Sequence, residues 1–310
     1  MTDLQTRDGT PLSALTFGTM QFGGRADPAA SRGMYDAARD AGVNHFDTAV
    51  RYTEGASETL LGPMVSAERD AIFLATKVGY TGGCGRSNIL RQLDISRSQL
   101  NLDSVDLLYL HRWDPDTDLT ETFTTLAELQ QNGVIRHIGV SNYAAWQVMK
   151  AQAVCAQLGT RIDVLQPMYN IVKRQAEVEI LPMAADQGML ACTYSPLGGG
   201  LLTGKYARGE TGRLSTDQMY AARYGQDWMH STAAGLSDIA HDIGTDPATL
   251  AVAWVARRTG VSPIISAKST EQLAPSLAAQ HFVMDDALYD RITALSPTPP
   301  PATDRLEETT

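Results

Sequence analysis

Eight short runs of apolar and β-branched residues recur along the chain, near Leu15, His45, Ile72, Val105, Ile138, Val164, Leu190 and Ser262. Each is followed, after a loop, by a segment of helical period. Six of the seven steps between runs span about 26 to 33 residues, close to the ~30 of one strand–helix–strand unit. The step from Leu190 to Ser262 is about 72 residues, so an insertion follows the seventh strand. The run Val-Asp-Leu-Leu-Tyr-Leu from Val105 is nearly all apolar, as a parallel strand covered on both faces requires. Helical faces are equally plain: Met34, Ala37, Ala38 and Ala41 share one, Leu119, Phe123, Leu126 and Ala127 a second, Leu250, Ala251, Trp254 and Val255 a third.

Eight alternating units with no linker or composition break predict a closed α/β structure, a (β/α)8 TIM barrel, rather than an open doubly wound sheet. The barrel domain is expected over residues 1–296, with an extended loop after strand seven. Asp8-Gly9, between short runs before Leu15, predicts an N-terminal β-hairpin plugging the barrel bottom. The tail 297–310, PTPPPATDRLEETT, is too polar and proline-rich to bury much surface and is expected to be mobile. No GxGxxG follows an early strand, which weighs against a Rossmann dinucleotide fold.

A net charge of −10 denies the chain the electrostatic attraction that non-specific nucleic-acid or membrane binding needs. The three cysteines, Cys84, Cys155 and Cys192, lie far apart without CxxC spacing and cannot all pair within one chain. The start MTDLQTRDG has no apolar h-region, and no run approaches a membrane span. A reduced, cytoplasmic setting is therefore expected. Nothing in the sequence fixes the oligomeric state.

In such a barrel the strand C-termini open on one face, so residues just after strands two, three and four become neighbours. Those ends read NHFDTAVRYTEGASETLLG around Asp47 and Tyr52, FLATKVGY around Lys77, and VDLLYLHRWDP around His111. Asp, Tyr, Lys and His in this order, at such strand ends, resemble the signature of the aldo-keto reductases, in the branch that includes channel β subunits. The likeness runs from GTMQFGG to IISAKSTEQL, nearly the whole chain. It implies a (β/α)8 barrel that passes a hydride between NADPH/NADP+ and an aldehyde, ketone or alcohol.

The chemistry explains the set. Hydride arrival at carbon leaves an alkoxide that needs a proton donor and electrostatic support. Tyr52 is the expected donor, with Lys77 lowering the phenol's pKa. Asp47 is expected to hold Lys77 cationic by a charge-assisted bond, and His111 to orient the substrate oxygen. Singly, each is an ordinary strand-end or surface residue; together they form one mechanism. His45, two residues before Asp47 on the same strand face, reads as barrel filling, and no metal-ligand spacing involves it.

The resemblance extends to the cofactor. GVIRHIGVSNY supplies Ser141 and Asn142, and VLQPMYN supplies Gln166; in the family these bind the nicotinamide carboxamide. Tyr194 matches the aromatic that stacks under the ring. Thr19 and Met20, in GTM after strand one, fall at the same end. The run SPLGGGLLTGKY, Ser195–Tyr206, resembles the loop that covers the pyrophosphate, so Ser195, Leu197, Gly199, Lys205 and Arg213 are expected to contact the cofactor. Lys268 and Ser269 suit a 2′-phosphate and Gln272 the adenine end, favouring NADPH over NADH. Two positions depart from the pattern: Ser266 replaces a usual glycine and Ser276 a usual asparagine.

Two other functions share these residues. The same fold serves as a channel-associated, NADPH-binding regulatory or redox-sensing subunit, and a sugar or alcohol dehydrogenase would run the chemistry in the oxidative direction. The substrate pocket is expected from loops near Met20, Tyr80 to Arg86, Arg112, Trp113 and the insertion from Arg213 to Met229, with Trp113 and Trp228 as apolar walls.

Overall fold

The computed structural model describes residues 4–305 and residue 307. Eight strands, β1 (Thr16–Gly18), β2 (His45–Asp47), β3 (Phe73–Val78), β4 (Val105–Leu110), β5 (Ile135–Ser141), β6 (Val164–Gln166), β7 (Leu190–Tyr194) and β8 (Val261–Ile265), pair in parallel, each with the next. β8 pairs back onto β1 through Thr16–Ile264 and Phe17–Ile265, closing the barrel. Leu15 and Ile72 each fall one residue before the observed strand; the other six expected positions lie inside theirs. The fold is the (β/α)8 TIM barrel.

Every residue of β3 and β4 is buried, because helices cover the outer face and side chains of opposing strands fill the inner one. Phe73, Ala75, Leu107, Tyr109, Val164, Cys192 and Ile264 form that inner cluster, and Leu4 joins them from the N-terminal segment. Around Asp8-Gly9 the expected hairpin is a single antiparallel bridge, Gln5 to Pro11, with Thr6 N donating to Thr10 O at 2.9 Å. Arg7 ties it to the barrel through Asp106, a buried carboxylate that also receives Arg69 and Arg136. The first three residues of the expected hairpin, and residues 306 and 308–310 of the expected mobile tail, lie outside the described residues. Residues 297–305 form neither helix nor strand.

The outer layer begins with α1 (Pro28–Asp40), α2 (Ala56–Ser66), α3 (Arg86–Leu100), α4 (Leu119–Gln131), α5 (Ala145–Gln157) and α6 (Ile180–Asp186). The buried face of α1 is Ser31, Met34, Tyr35 and Ala38, one step round from the face read in the sequence. Tyr35 is drawn in because its hydroxyl donates to Glu68 at 2.6 Å. Where α2 crosses α3, a Cβ on Gly62 would stand 2.2 Å from the Leu100 carbonyl oxygen, and that atom is backbone. Gly62→Ala should therefore destabilise the fold by roughly 2–3 kcal/mol despite the better helix propensity of alanine. Urea denaturation checks this, and a change under about 0.5 kcal/mol would show that the crossing relaxes freely.

The insertion after β7 holds a 3₁₀ stretch over Gly198–Thr203, then α7 (Arg213–Thr216), α8 (Gln218–Tyr224) and α9 (Asp227–Asp242). It changes the setting of α10 (Pro247–Ala256), in which every residue from Ala248 to Val255 is buried. A one-sided helix is what its sequence predicts; the insertion covers the other side. α11 (Thr270–Ala278) and α12 (Asp286–Thr293) complete the layer.

Candidate active site

Side chains alternate in and out along a strand, so the last inward positions of neighbouring strands meet at the C-terminal rim. β2 ends on Asp47, β3 carries Lys77 one residue before its end, and His111 directly follows β4. Tyr52 comes from the loop after β2, in a 3₁₀ turn over Tyr52–Gly55. That turn puts Thr53 and Glu54 at φ 48° and 56°, a left-handed conformation that costs non-glycine residues energy. The Thr53 hydroxyl, donating to the Phe22 carbonyl at 2.7 Å, helps hold it.

The four residues meet as the sequence predicts. Lys77 Nζ donates to Asp47 Oδ1, to the Thr48 carbonyl at 2.7 Å and to the Tyr52 hydroxyl at 3.2 Å, which uses all three ammonium hydrogens. Gln166 Nε2 donates to the other Asp47 oxygen at 2.8 Å. The His111 ring stands edge-on to Tyr52 with centroids 5.9 Å apart. Burial works against the Lys77 ammonium, but Asp47 and Tyr52 outweigh it and leave its pKa raised, so it stays charged.

Tyr52 departs from expectation. Burial raises its phenol above the ordinary value, and the opposing pull of Lys77 does not reverse that. The cost of desolvating a phenolate, which depends on burial that the sequence does not quantify, decides the direction. The group is thus held protonated, as a donor must be, with a cation ready to receive the phenolate.

His111 is pushed down to about 2, by burial first and then by Lys77, Arg51 and Arg112. It is a neutral imidazole that can hydrogen-bond an oxygen without competing as an acid. His45 is pushed down to about 3 by burial. Its Nδ1 lies 2.9 Å from the Thr16 hydroxyl and its ring packs edge-on against Phe73, so it fills the barrel. Both histidines bind a proton more readily unfolded than folded, so between the unfolded pKa near 6.5 and these depressed values stability falls as pH falls. Each should withdraw about 1.4 kcal/mol per pH unit within that window. Denaturation at pH 6.5, 5.5 and 4.5 measures the slope; His45→Gln should flatten it by about one proton, and an unchanged slope would exclude His45.

The tetrad opens into a cleft of about 620 Å³. Met20, Ser141, Asn142, Gln166, Tyr194, Ser195, Leu197, Gly199, Lys205, Arg213, Lys268 and Gln272 all line it. Asn142 and Ser195 sit at φ 59° and 62°, which turns the chain at the rim. Asn142 Nδ2 donates to the His111 carbonyl at 2.9 Å and to Ser141 Oγ at 3.0 Å, and its Oδ1 accepts the Tyr194 hydroxyl at 2.7 Å. Asn142 thus links His111, Ser141 and Tyr194 in one hydrogen-bond network at the rim.

Two of the expected residues are not in the cleft lining. Thr19 is fully buried and does not line the cleft, because its hydroxyl pairs with Ser57 at 2.8 Å and the Asp47 carbonyl at 3.2 Å. Ser269 is the N-cap of α11, its oxygen accepting from Gln272 N, rather than part of the lining. The expected tryptophan walls are also absent from the lining. Trp113 packs against Tyr143 and Trp146, with centroids 5.2 and 5.6 Å apart, and the Trp228 indole donates to Gln226. Ser276 is buried in α11 away from the cleft. Ser266 lines the cleft with its buried hydroxyl oxygen unpartnered.

Sequence reasoning missed Arg25, Arg51, Thr203 and Gly200, which also line the cleft. Arg51, Gly200 and Thr203 lie inside segments already singled out, and Arg25 directly follows GTMQFGG. Among the described residues the only lining carboxylate is Asp47, whose oxygens are spent on Lys77 and Gln166. Arg25, Arg51, Lys205, Arg213, Arg223 and Lys268 line the same cleft. In a chain of net charge −10 this is a concentrated site for anions. Lys205 feels it: burial first, then Lys268 and Arg213, lower its pKa.

A barrel rim with a buried Asp–Lys–Tyr chain, a neutral histidine and a long cationic cleft defines an oxidoreductase of the barrel type. The chain belongs to the aldo/keto reductase family, whose sequence profile matches residues 14–297. It is 30% identical to a probable voltage-gated potassium channel subunit beta of Oryza sativa, over 96% of this chain and 97% of that one. It is 33% identical to aflatoxin B1 aldehyde reductase member 2 of Rattus norvegicus, over 87% and 81%. An uncharacterized oxidoreductase of Bacillus subtilis, YrpG, is 29% identical over 94% and 95%.

Proposed function

We propose that this protein is an NADPH-dependent reductase of aldehydes or ketones, reversible in principle, with Asp47, Tyr52, Lys77 and His111 as its catalytic residues. The observation that carries the proposal is the single ammonium of Lys77 bonded at once to Asp47 and to the Tyr52 hydroxyl, at the end of a cleft lined by cations. When bound, the reduced nicotinamide supplies a hydride. The chain's residues do the rest. His111, neutral, donates a hydrogen bond that positions the substrate oxygen. Tyr52 transfers its proton to that oxygen as charge develops there, and Lys77, held by Asp47, stabilises the phenolate left behind.

The cleft fits a dinucleotide. A Cβ on Gly200 would stand 2.7 Å from Lys205 Nζ, and one on Gly199 2.7 Å from the Tyr220 ring, so the glycines keep backbone amides open beside a cation. Lys205, Arg213 and Arg25 would hold the pyrophosphate, Lys268 the 2′-phosphate and Gln272 the adenine end. Ser266 offers its unpartnered hydroxyl to the same end. No described helix is long and apolar enough to cross a membrane. The three buried thiols, all unpaired, suit the reducing cytoplasm we assign to it.

Lys268 is exposed and pairs with no carboxylate among the described residues, so its bond to a phosphate would contribute on the order of 1.5–3 kcal/mol. Lys268→Ala should weaken NADPH about ten- to hundredfold and leave NADH nearly unchanged. Fluorescence titration of both cofactors decides it: equal weakening of the two would refute a 2′-phosphate contact. Multiple turnovers of NADPH with a panel of aldehydes and ketones test the reaction itself. A cofactor tightly retained without turnover would point to a regulatory subunit, and product formation only from alcohols and NADP+ to a dehydrogenase.

A further inference from the structure

At the substrate end of the cleft, two guanidinium groups converge on one aromatic ring. The Arg51 Cζ lies 4.0 Å from the centroid of Tyr80 and the Arg112 Cζ 5.0 Å from it. Tyr80 in turn stands edge-on to His111 at 5.0 Å. Those two steps, 4.0 and 5.0 Å, put the Arg51 guanidinium no more than about 9 Å from the His111 ring centre.

Neither arginine has a side-chain hydrogen bond or an ion pair with another described residue, although the chain carries 35 acidic side chains against 25 lysines and arginines. The carboxylate nearest Arg112 on the sequence, Asp114, is occupied: it accepts from Cys84 N at 2.6 Å, Asp116 N at 3.0 Å and the Thr117 hydroxyl at 2.6 Å. Asp47 is consumed by Lys77 and Gln166. Both guanidinium groups are solvent-exposed, so water screens their mutual repulsion and leaves their N–H donors open to a ligand anion. The ring restrains both side chains, so less entropy is lost when they engage a ligand. A guanidinium fork matches a planar or tetrahedral oxyanion. The field of both arginines already reaches His111, where it helps keep the imidazole neutral.

We propose that Arg51, backed by Arg112 through Tyr80, binds an anionic oxygen group of the substrate, so that the protein selects carbonyl compounds carrying a carboxylate or phosphate a few bonds from the reacting carbon. The assignment rests on the reductase reading for the word carbonyl, and on Arg51, Tyr80 and Arg112 alone for the anion. It separates the substrate end from the cofactor cations Lys205 and Lys268, which lie toward the insertion and α11.

Three matched aldehydes test it: 4-carboxybenzaldehyde, its uncharged methyl ester, and 4-formylphenyl phosphate. Dissociation constants are measured by calorimetry on the NADP+-loaded protein, in the wild type, Arg51→Met and Arg51→Lys. The wild type should bind at least one of the two anions roughly five- to thirtyfold more tightly than the ester. Arg51→Met should remove that preference, and Arg51→Lys should restore part of it. The anion bound best identifies which oxyanion the site takes. Equal affinity for all three compounds, or a preference that survives Arg51→Met, would overturn the proposal. Turnover of the same compounds with NADPH is read separately: failure to reduce any of them sinks the reductase reading, while the binding ratios still decide the anion site.

Discussion

Tyr52→Phe should lower kcat for carbonyl reduction by about 10²- to 10⁴-fold, the usual cost of removing a positioned proton donor. Cofactor affinity should change little, because in the proposed mechanism the phenol acts on the substrate oxygen, and among the described residues its side-chain bond is the one accepted from Lys77 at 3.2 Å. The substitution keeps the ring and its edge contact with His111, so folding should be spared. Burial holds the Tyr52 phenol above its ordinary pKa, so the wild-type rate should show no loss at neutral pH from ionisation of the donor. Stopped-flow traces of NADPH oxidation give kcat, and a variant turning over at the wild-type rate would take Tyr52 out of the chemistry.

Lys77→Met should cost turnover on a similar scale and also cost stability. Without the ammonium nothing offsets the desolvation of a phenolate at Tyr52, so proton transfer from it becomes harder. The same change strands a buried carboxylate: Asp47 keeps only the amide of Gln166, at 2.8 Å. Breaking a buried pair by removing one partner typically costs about 3–5 kcal/mol. The two losses are separable. Asp47→Asn with Lys77→Met removes the stranded charge and should recover much of the stability but none of the rate. If Lys77→Met alone kept its activity, the relay of Lys77 to Tyr52 would be wrong; if the double variant recovered activity, the defect would have been one of folding.

The barrel was legible because its information is periodic. Apolar runs about 30 residues apart mark strands wherever helices cover them, and the C-terminal rim follows from the topology. Asp47, Lys77 and His111 could be read together because each sits at a strand end, and Tyr52 because it lies five residues beyond Asp47. What stayed hidden depends on tertiary partners. Thr19 and Ser269 have hydroxyls that look free in sequence, yet one is buried against Ser57 and the other caps a helix. Trp113 turns toward Tyr143 because an aromatic partner comes from another loop. The direction of the Tyr52 shift required burial, which a sequence does not quantify. α10 was read as one-sided because its second cover, the insertion, lies outside its own periodicity. Arg51 stands beside Tyr52 in plain view, but that no described carboxylate pairs with it is a property of the folded rim.

If this rim moves a hydride to a carbonyl carbon while Tyr52 protonates the oxygen, the hydride can be followed into product. Tracing the isotope tests it most directly. The protein is incubated with [4,4-²H₂]NADPH and a large excess of an aldehyde, and the alcohol is analysed by NMR and mass spectrometry. Many turnovers are expected, with one deuterium on the carbinol carbon for every NADPH consumed and a solvent-derived hydrogen on oxygen. An unlabelled alcohol, or NADPH that stays bound and unoxidised through repeated additions of aldehyde, would contradict it.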